Sequence, residues 1–331
     1  MKWLGFSALL ISNSIMANDL NEAQVKQLFE ENKYVKIIEQ VDDFAPYEVA
    51  KYKALSMARL EDFEDAIVLL DRRIAEIEPK DTEALAKEWM QKGNVFASQA
   101  MDASIFTAAG YAEDSLEAFK KAHKLMPDDL ETNRALIGFY RNAPGFVGGD
   151  VEKAIDMSIA LEKHYPFKAG VMITQGYLAA NKSEKVEEKF KQMQQAYPKN
   201  HELALQASYF YDRQERYQDN HQHLVDALSW SEPEDEAQKN EWFMLHYALV
   251  KNSVKTKSNL ENALVALNNF KKAPEKLISN YEQWPVLREA QIRLLMGQKK
   301  QAIALAKQAR AASDDSKLRK KAKRIIKKGR I

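Results

Sequence analysis

Residues 115–127 read SLEAFKKAHKLMP, and this stretch decides the fold. Ser115, Phe119 and Ala122 stand at offsets 0, +4 and +7, and Pro127 follows at +12. These offsets place three side chains on one face of an α-helix, with the proline just past its end. The small residues let a neighbouring helix approach closely, and the large one fills the space between helices. The stretch therefore predicts a helix that packs tightly against a partner helix.

The same pattern recurs along the chain. Prolines close comparable helical stretches, in steps of 48, 39, 32 and 35 residues, at Pro79, Pro127, Pro166, Pro198 and Pro233. The three-residue offsets recur in segments that begin at Ala66, Ala154, Val186, Asn220, Ala263 and Ala302. A unit of two helices that returns about every 34 residues is the signature of a helical repeat array.

On these residues the chain resembles the tetratricopeptide repeat family over residues 45–313. The family's full pattern adds a large residue, a Leu-Gly pair and an aromatic on the first helix of each unit. In this chain the first-helix part of the pattern is degenerate. Tyr140 and Tyr211 fit the aromatic place, and Ala290 fits the small place. The resemblance implies an all-α, right-handed α-solenoid of helix pairs. It also implies a concave surface that binds a protein or peptide partner.

The first 17 residues have the pattern of a secretory signal peptide. Lys2 gives the positive start, residues 3–11 the apolar core, and Ala17 the small residue at the cleavage site. The apolar run is too short to span a bilayer, and a short membrane anchor or a buried first helix is the alternative. The pattern predicts a bacterial exported protein in the periplasm. No cysteine is present, which excludes disulfides, thiolate metal sites and a lipoprotein anchor.

The rest of the chain divides into three predicted parts. Residues 18–45 are expected to form N-terminal capping helices, residues 46–313 the repeat solenoid, and residues 314–331 a basic capping helix or tail. Nine basic residues and no acidic one lie between Lys317 and Arg330. Because the whole chain carries a net charge of +1, the remaining residues carry −8.

The basic segment has three interpretations. Leu318, Ala322, Ile325 and Ile326 recur at i, i+4, i+7 and i+8, which indicates a core-facing stripe and favours a terminal capping helix. Weak contact with an anionic membrane is a possible added property. Nucleic acid is disfavoured as a partner, because an exported protein does not meet it.

Two insertions depart from the 34-residue step. The step of 48 predicts one long Ala-rich helix over residues 82–109. The step of 39 places five extra residues in the segment 142–150. There Pro144 is expected to stop one helix, and Asp150 is a natural N-cap for the next.

Nothing in the sequence predicts catalysis. The six histidines lack the spacing of a helical zinc site, and no nucleotide-binding, calcium-binding or nucleophile motif is present. Paired carboxylates such as Asp128-Asp129 and Asp314-Asp315 precede predicted helices, where capping explains them. We therefore expect a protein that is not an enzyme and that has no cofactor and no metal site.

The candidate binding residues fall in two groups. In the 143–149 loop, either Phe146 and Val147 project as an apolar finger or Phe146 packs beneath the next helix, and Gly148-Gly149 either holds an anion or permits a tight turn. By the resemblance, concave first-helix positions fall at Arg134, Arg141, Asn142, Tyr209, Asp212 and Arg213. The alternative for each of these six is ordinary solvated helix surface.

The expected function is a non-enzymatic interaction scaffold of the cell envelope that binds a protein or peptide in its concave groove. The alternative is a transport-associated periplasmic subunit that binds a small ligand in an apolar pocket near residues 96–110. An open groove favours the first function, and a closed dry cavity favours the second.

Overall fold

The computed structural model describes residues 20–104 and 106–331, and every regular element within these ranges is helical. The predicted signal peptide, residues 1–17, lies outside the described residues. The described chain forms two compact units, one that ends at Ala180 and one that starts at Asn181. None of the described helices combines the length and the apolar composition that a membrane crossing requires.

The first unit contains helices α1 to α9 and a short 3-10 turn at Gly145–Val147. In chain order the helices are α1 (Glu22–Glu30), α2 (Tyr34–Gln40), α3 (Tyr47–Arg59), α4 (Phe63–Glu76), α5 (Thr82–Asp102), α6 (Ala108–Leu125), α7 (Leu130–Asn142), α8 (Val151–Leu161) and α9 (Pro166–Ala179). Each helix packs on the next, and alternate helices also touch, so that α3 contacts α5, α5 contacts α7 and α7 contacts α9. This is the packing of a helix-pair repeat.

The second unit contains helices α10 to α18. They are α10 (Ser183–Ala196), α11 (His201–Arg213), α12 (Tyr217–Leu228), α13 (Glu236–Thr256), α14 (Leu260–Phe270), α15 (Glu275–Ser279), α16 (Trp284–Leu295), α17 (Lys299–Ala311) and α18 (Ser316–Lys328). Here α11 packs on α13, α13 on α16 and α16 on α18, so these four helices form one row. The one-turn helix α15 was not predicted from the sequence.

The all-α fold of helix pairs is confirmed, and the repeated offsets explain it. The residues at these offsets are buried throughout: Ala66, Leu70, Arg73, Ser115, Phe119, Ala122, Ala154, Ser158, Leu161, Val186, Phe190, Met193, Asn220, Leu224, Ala227, Ala263, Leu267, Phe270, Ala302, Ala306 and Ala309. Leu318, Ala322 and Ile325 of α18 are also buried, in a cluster with residues of α16 and α17. Burial of these faces between neighbouring helices stabilises the array.

Helices α5 and α6 approach each other closely at Gly93. The Ser115 hydroxyl donates a hydrogen bond of 2.9 Å to the Gly93 carbonyl oxygen. A Cβ atom at Gly93 would lie 2.6 Å from the buried Phe119 ring, so only glycine fits there. The small residue at the first offset and the large residue at the second therefore act together to hold two helices in contact.

Arg73 departs from the repeat pattern because it places a charge where every other unit has an apolar residue. Its Nε donates to the Glu88 carboxylate at 2.8 Å, and both side chains are buried. Its Nη1 donates to the carbonyl oxygens of Asp43 and Ala45, at 2.6 and 3.0 Å. One guanidinium thereby joins α4, α5 and the loop that follows α2.

The predicted single helix over 82–109 is wrong in extent. Helix α5 ends at Asp102, and α6 begins at Ala108. The Ser104 and Thr107 hydroxyl oxygens lie 3.1 Å apart, and the Thr107 and Ala108 amides both donate to the Ser104 carbonyl oxygen. Serine and threonine that bond locally in this way compete with helix hydrogen bonds and favour a turn.

We predict that Gly93→Ala destabilises the protein by about 1–3 kcal/mol, because the added methyl group collides with Phe119. The matched control is Gly110→Ala on α6, where a Cβ meets nothing within 4 Å. This control should be neutral or stabilising by up to about 1 kcal/mol. Urea unfolding of both variants measures the difference, and equal stabilities would contradict the close approach.

We predict that Arg73→Met costs about 3–5 kcal/mol, because it leaves the Glu88 carboxylate buried without its charge partner. The double variant Arg73→Met with Glu88→Met should recover part of this loss, since no uncompensated charge remains. Denaturant unfolding of the two variants is the measurement. A double variant less stable than Arg73→Met would contradict the role of the ion pair.

Candidate functional site

An open groove in the first unit is the candidate site. It lies between α5, α6, α7 and the 143–149 loop, has a volume of about 840 Å³ and opens to solvent. Met90, Ala135, Gly138 and Phe139 are among the residues that line it, and its lining is mostly apolar. Within the described residues no group of histidine, cysteine, aspartate or glutamate is placed to hold a metal ion. The groove is therefore a surface suited to apolar contact.

The groove exists because α5 and α6 are longer than a repeat requires. They have 21 and 18 residues, whereas α7 has 13. The extra residues of both helices are alanine-rich, and those that line the groove are Ala97, Ala100, Ala108, Ala109 and Ala112. Because alanine side chains are short, they leave an apolar wall with space in front of it. The insertion that breaks the 34-residue step thus builds the site.

Three large apolar side chains around the groove are exposed to solvent. Met101 is 89% exposed, Phe106 is 92% exposed and Phe146 is 79% exposed. Met101 and Phe146 line the groove itself, and Phe106 lies in the α5–α6 connection. Water contact with large apolar side chains is unfavourable, and exposed apolar side chains beside a groove are typical of interaction sites. We call Met101, Phe106 and Phe146 the apolar rim.

The 143–149 loop is held by its own hydrogen bonds. Gly149 must be glycine, because a Cβ there would lie 1.8 Å from the Ala143 carbonyl oxygen, and Gly148 has a φ of +92°. Val147 is buried, and the 3-10 turn that contains it packs on α6. Phe146 therefore points outward while its neighbour Val147 anchors the turn.

The glycines of this loop do not offer amides to an anion. The Gly148 amide donates to the Gly145 carbonyl oxygen at 3.1 Å, and the Gly149 amide donates to the Pro144 carbonyl oxygen at 3.0 Å. Asp150 caps α8 by accepting a 3.0 Å hydrogen bond from the Lys153 amide. Of the two alternatives for Gly148-Gly149, the geometry is that of the tight turn.

The predicted binding residues of the first unit lie in two different places. Arg134, Asn142 and Phe146 line the groove. Arg134 is exposed, and its Nη1 donates a 3.4 Å hydrogen bond to the carboxylate of Glu131, which also lines the groove. Arg141 does not line the groove; its Nη1 donates to Gln175 Oε1 on α9, and burial lowers its pKa.

The three predicted residues of the second unit, Tyr209, Asp212 and Arg213, lie on α11. Tyr209 is 40% exposed, and burial of the hydroxyl raises its pKa to about 12. The centre of its ring lies 5.5 Å from the ammonium nitrogen of Lys251, a residue of α13. These residues thus belong to the row of α11, α13, α16 and α18.

Sequence reasoning missed Met101 and Phe106. Both fell inside a stretch that was predicted as continuous helix, where large apolar residues are usually core. The overlooked signal was Ser104 and Thr107, whose hydroxyls favour a turn.

Comparison with known proteins gives structural likeness alone. Neither a protein-family model nor a curated protein matches the chain. It is similar to a chain of the APC/C hetero-tetramer Cut9-Hcn1, with a TM-score of 0.49, 13% identity, and coverage of 92% of this chain and 54% of that chain. The chain therefore spans about half the length of that protein.

Two further solved structures are similar. One is a tetratricopeptide repeat protein from Parabacteroides merdae, with a TM-score of 0.48, 12% identity, and coverage of 88% of this chain and 97% of that chain. The other is a structure of Naa15/Naa10 bound to HypK-THB, with a TM-score of 0.32, 13% identity, and coverage of 91% of this chain and 64% of that chain.

We predict that Phe146→Ser changes the free energy of unfolding by less than about 0.5 kcal/mol, because its side chain is exposed. By contrast, Val147→Ala should cost about 2 kcal/mol, because it removes buried methyl groups that hold the turn on α6. Thermal and urea unfolding of the two neighbouring variants test this contrast. A larger loss for Phe146→Ser than for Val147→Ala would contradict the described loop.

Proposed function

We propose that this protein is a non-enzymatic interaction scaffold of the bacterial cell envelope, and that it binds an apolar segment of a partner protein in the groove of the first unit. The observation that carries the proposal is the apolar rim, Met101, Phe106 and Phe146, around a groove of about 840 Å³. Burying these side chains against a partner removes apolar area from water at roughly 25 cal/mol per Å².

The shape of the groove supports a protein occupant. A small-molecule site encloses most of its ligand, whereas this groove opens to solvent. An amphipathic helix or an extended segment can place two or three apolar side chains into such a groove and keep its polar side in water. Arg134, Asn94 and Asn142 line the polar edge and can bind backbone or carboxylate groups of the same segment.

The location rests on the signal-peptide pattern of residues 1–17, which supports export to the periplasm. The alternative, a transport-associated subunit with a small ligand, needs an enclosed apolar cavity near residues 96–110. Those residues instead contribute to the open groove. We therefore retain the scaffold as the single proposed function.

We predict that Gly138→Leu abolishes partner binding without unfolding the protein. A Cβ at Gly138 meets nothing within 4 Å, and this glycine lines the groove, so a leucine side chain occupies the space that the partner needs. The matched control is Gly110→Leu, which has equal space but lies outside the groove lining.

The measurement is affinity capture from an envelope fraction, with each immobilised variant and quantitative mass spectrometry. Proteins enriched on the wild type should persist on Gly110→Leu and fall about tenfold or more on Gly138→Leu. Circular dichroism confirms that each variant is folded. Equal enrichment on both variants, or no enriched protein, would refute the proposed site.

A further inference from the structure

Among the methionines that the structure describes, a single side chain is exposed. The described ranges hold nine methionines, and Met101 is 89% exposed, whereas the other eight are buried or half-buried. Methionine is a flexible apolar residue that fills core space or contacts a partner. Met101 fills no core space, so its position at the groove favours a contact with another molecule.

Met101 also carries the described sulfur atom that an oxidant reaches most easily. The chain has no cysteine, so no thiol competes for a peroxide. Oxidation of a sulfur side chain follows its exposure to solvent, and neighbouring residues cover the other eight described methionines in part or in full. The exposure of Met101 therefore predicts that a peroxide modifies this residue before the other eight.

The groove contains a second methionine that differs from Met101 in its burial. Met90 also lies on α5 and lines the groove, eleven residues before Met101. Eleven residues are about three helical turns, so both side chains lie on the same face of α5. Met90 is half-buried and packs against the core cluster that contains Phe119 and Leu136. The two methionines thus share one helix face and one groove, and burial distinguishes them.

Oxidation of a methionine consumes one molecule of hydrogen peroxide. The Sδ atom attacks one peroxide oxygen, the O–O bond breaks, and the proton on the transferred oxygen moves to the leaving hydroxide, which departs as water. The sulfur gains one oxygen and loses two electrons, and the peroxide is reduced. The product is methionine sulfoxide, a polar side chain that methionine sulfoxide reductases return to the thioether. The modification is therefore reversible.

We propose that Met101 is a redox-sensitive modification site, and that its oxidation to the sulfoxide by a peroxide releases the partner from the groove. The inference rests on the proposed function, because it concerns the same groove. In the free protein water solvates the sulfoxide, since position 101 is exposed, and the fold loses no stability. In the complex the partner covers the sulfoxide within a mostly apolar lining, which costs free energy. Oxidation therefore lowers affinity and leaves stability unchanged.

The first test measures which methionine hydrogen peroxide oxidises, and it needs no partner. Trypsin cleavage at lysine gives the peptide 93–120, in which Met101 is the only methionine, and the peptide 88–92, in which Met90 is the only one. Mass spectrometry over a time course should show sulfoxide in 93–120 about tenfold faster than in 88–92. In urea-unfolded protein the two rates should be equal. Equal rates in the native protein would overturn the proposal.

The second test measures binding before and after oxidation. Each immobilised protein is treated with peroxide until the peptide 93–120 is oxidised, the peroxide is removed with catalase, and an untreated envelope extract is applied. Capture by the wild type should fall about tenfold on oxidation and return after treatment with methionine sulfoxide reductases. Met101→Leu, compared with its own untreated sample, should show no change with peroxide. The matched control Met296→Leu, at a half-buried position of the second unit, should lose capture as the wild type does.

Two outcomes of the second test would overturn the proposal. One is capture by the oxidised wild type at its untreated level, and the other is an equal loss for Met101→Leu and the wild type. Circular dichroism confirms that each oxidised protein is folded. The proposed function fails on the untreated protein, if it captures nothing, and the release then fails with it. The inference alone fails when the untreated protein captures a partner and the oxidised protein still holds it.

Discussion

The contact between α5 and α6 is the constraint on which the candidate site depends. Gly93, Ser115 and Phe119 hold the two helices together where an added Cβ would lie 2.6 Å from the ring. With that contact fixed, the extra turns of α5 and α6 run on beside each other and present their alanines to solvent. A repeat packed less closely would not support such an extension, because isolated helical turns are marginal in water.

The sequence alone predicted the repeated helix faces well, because burial between stacked helices demands fixed offsets such as Ala154, Ser158 and Leu161. Arg134, Asn142 and Phe146 of the candidate site were also named from the sequence, yet Met101 and Phe106 were not. Both side chains are exposed because the chain turns at Ser104. The hydroxyl groups of Ser104 and Thr107 form local hydrogen bonds that favour this turn over one continuous alanine-rich helix.

The central claim is that the apolar rim contacts a partner protein. The most direct measurement replaces Phe106 or Met101 with a photo-crosslinking amino acid in intact cells. Val265, which is 61% exposed on α14, serves as the control position. We predict one and the same crosslinked protein from positions 106 and 101 and none from position 265. Crosslinks of equal yield from all three positions, or from position 265 alone, would contradict it.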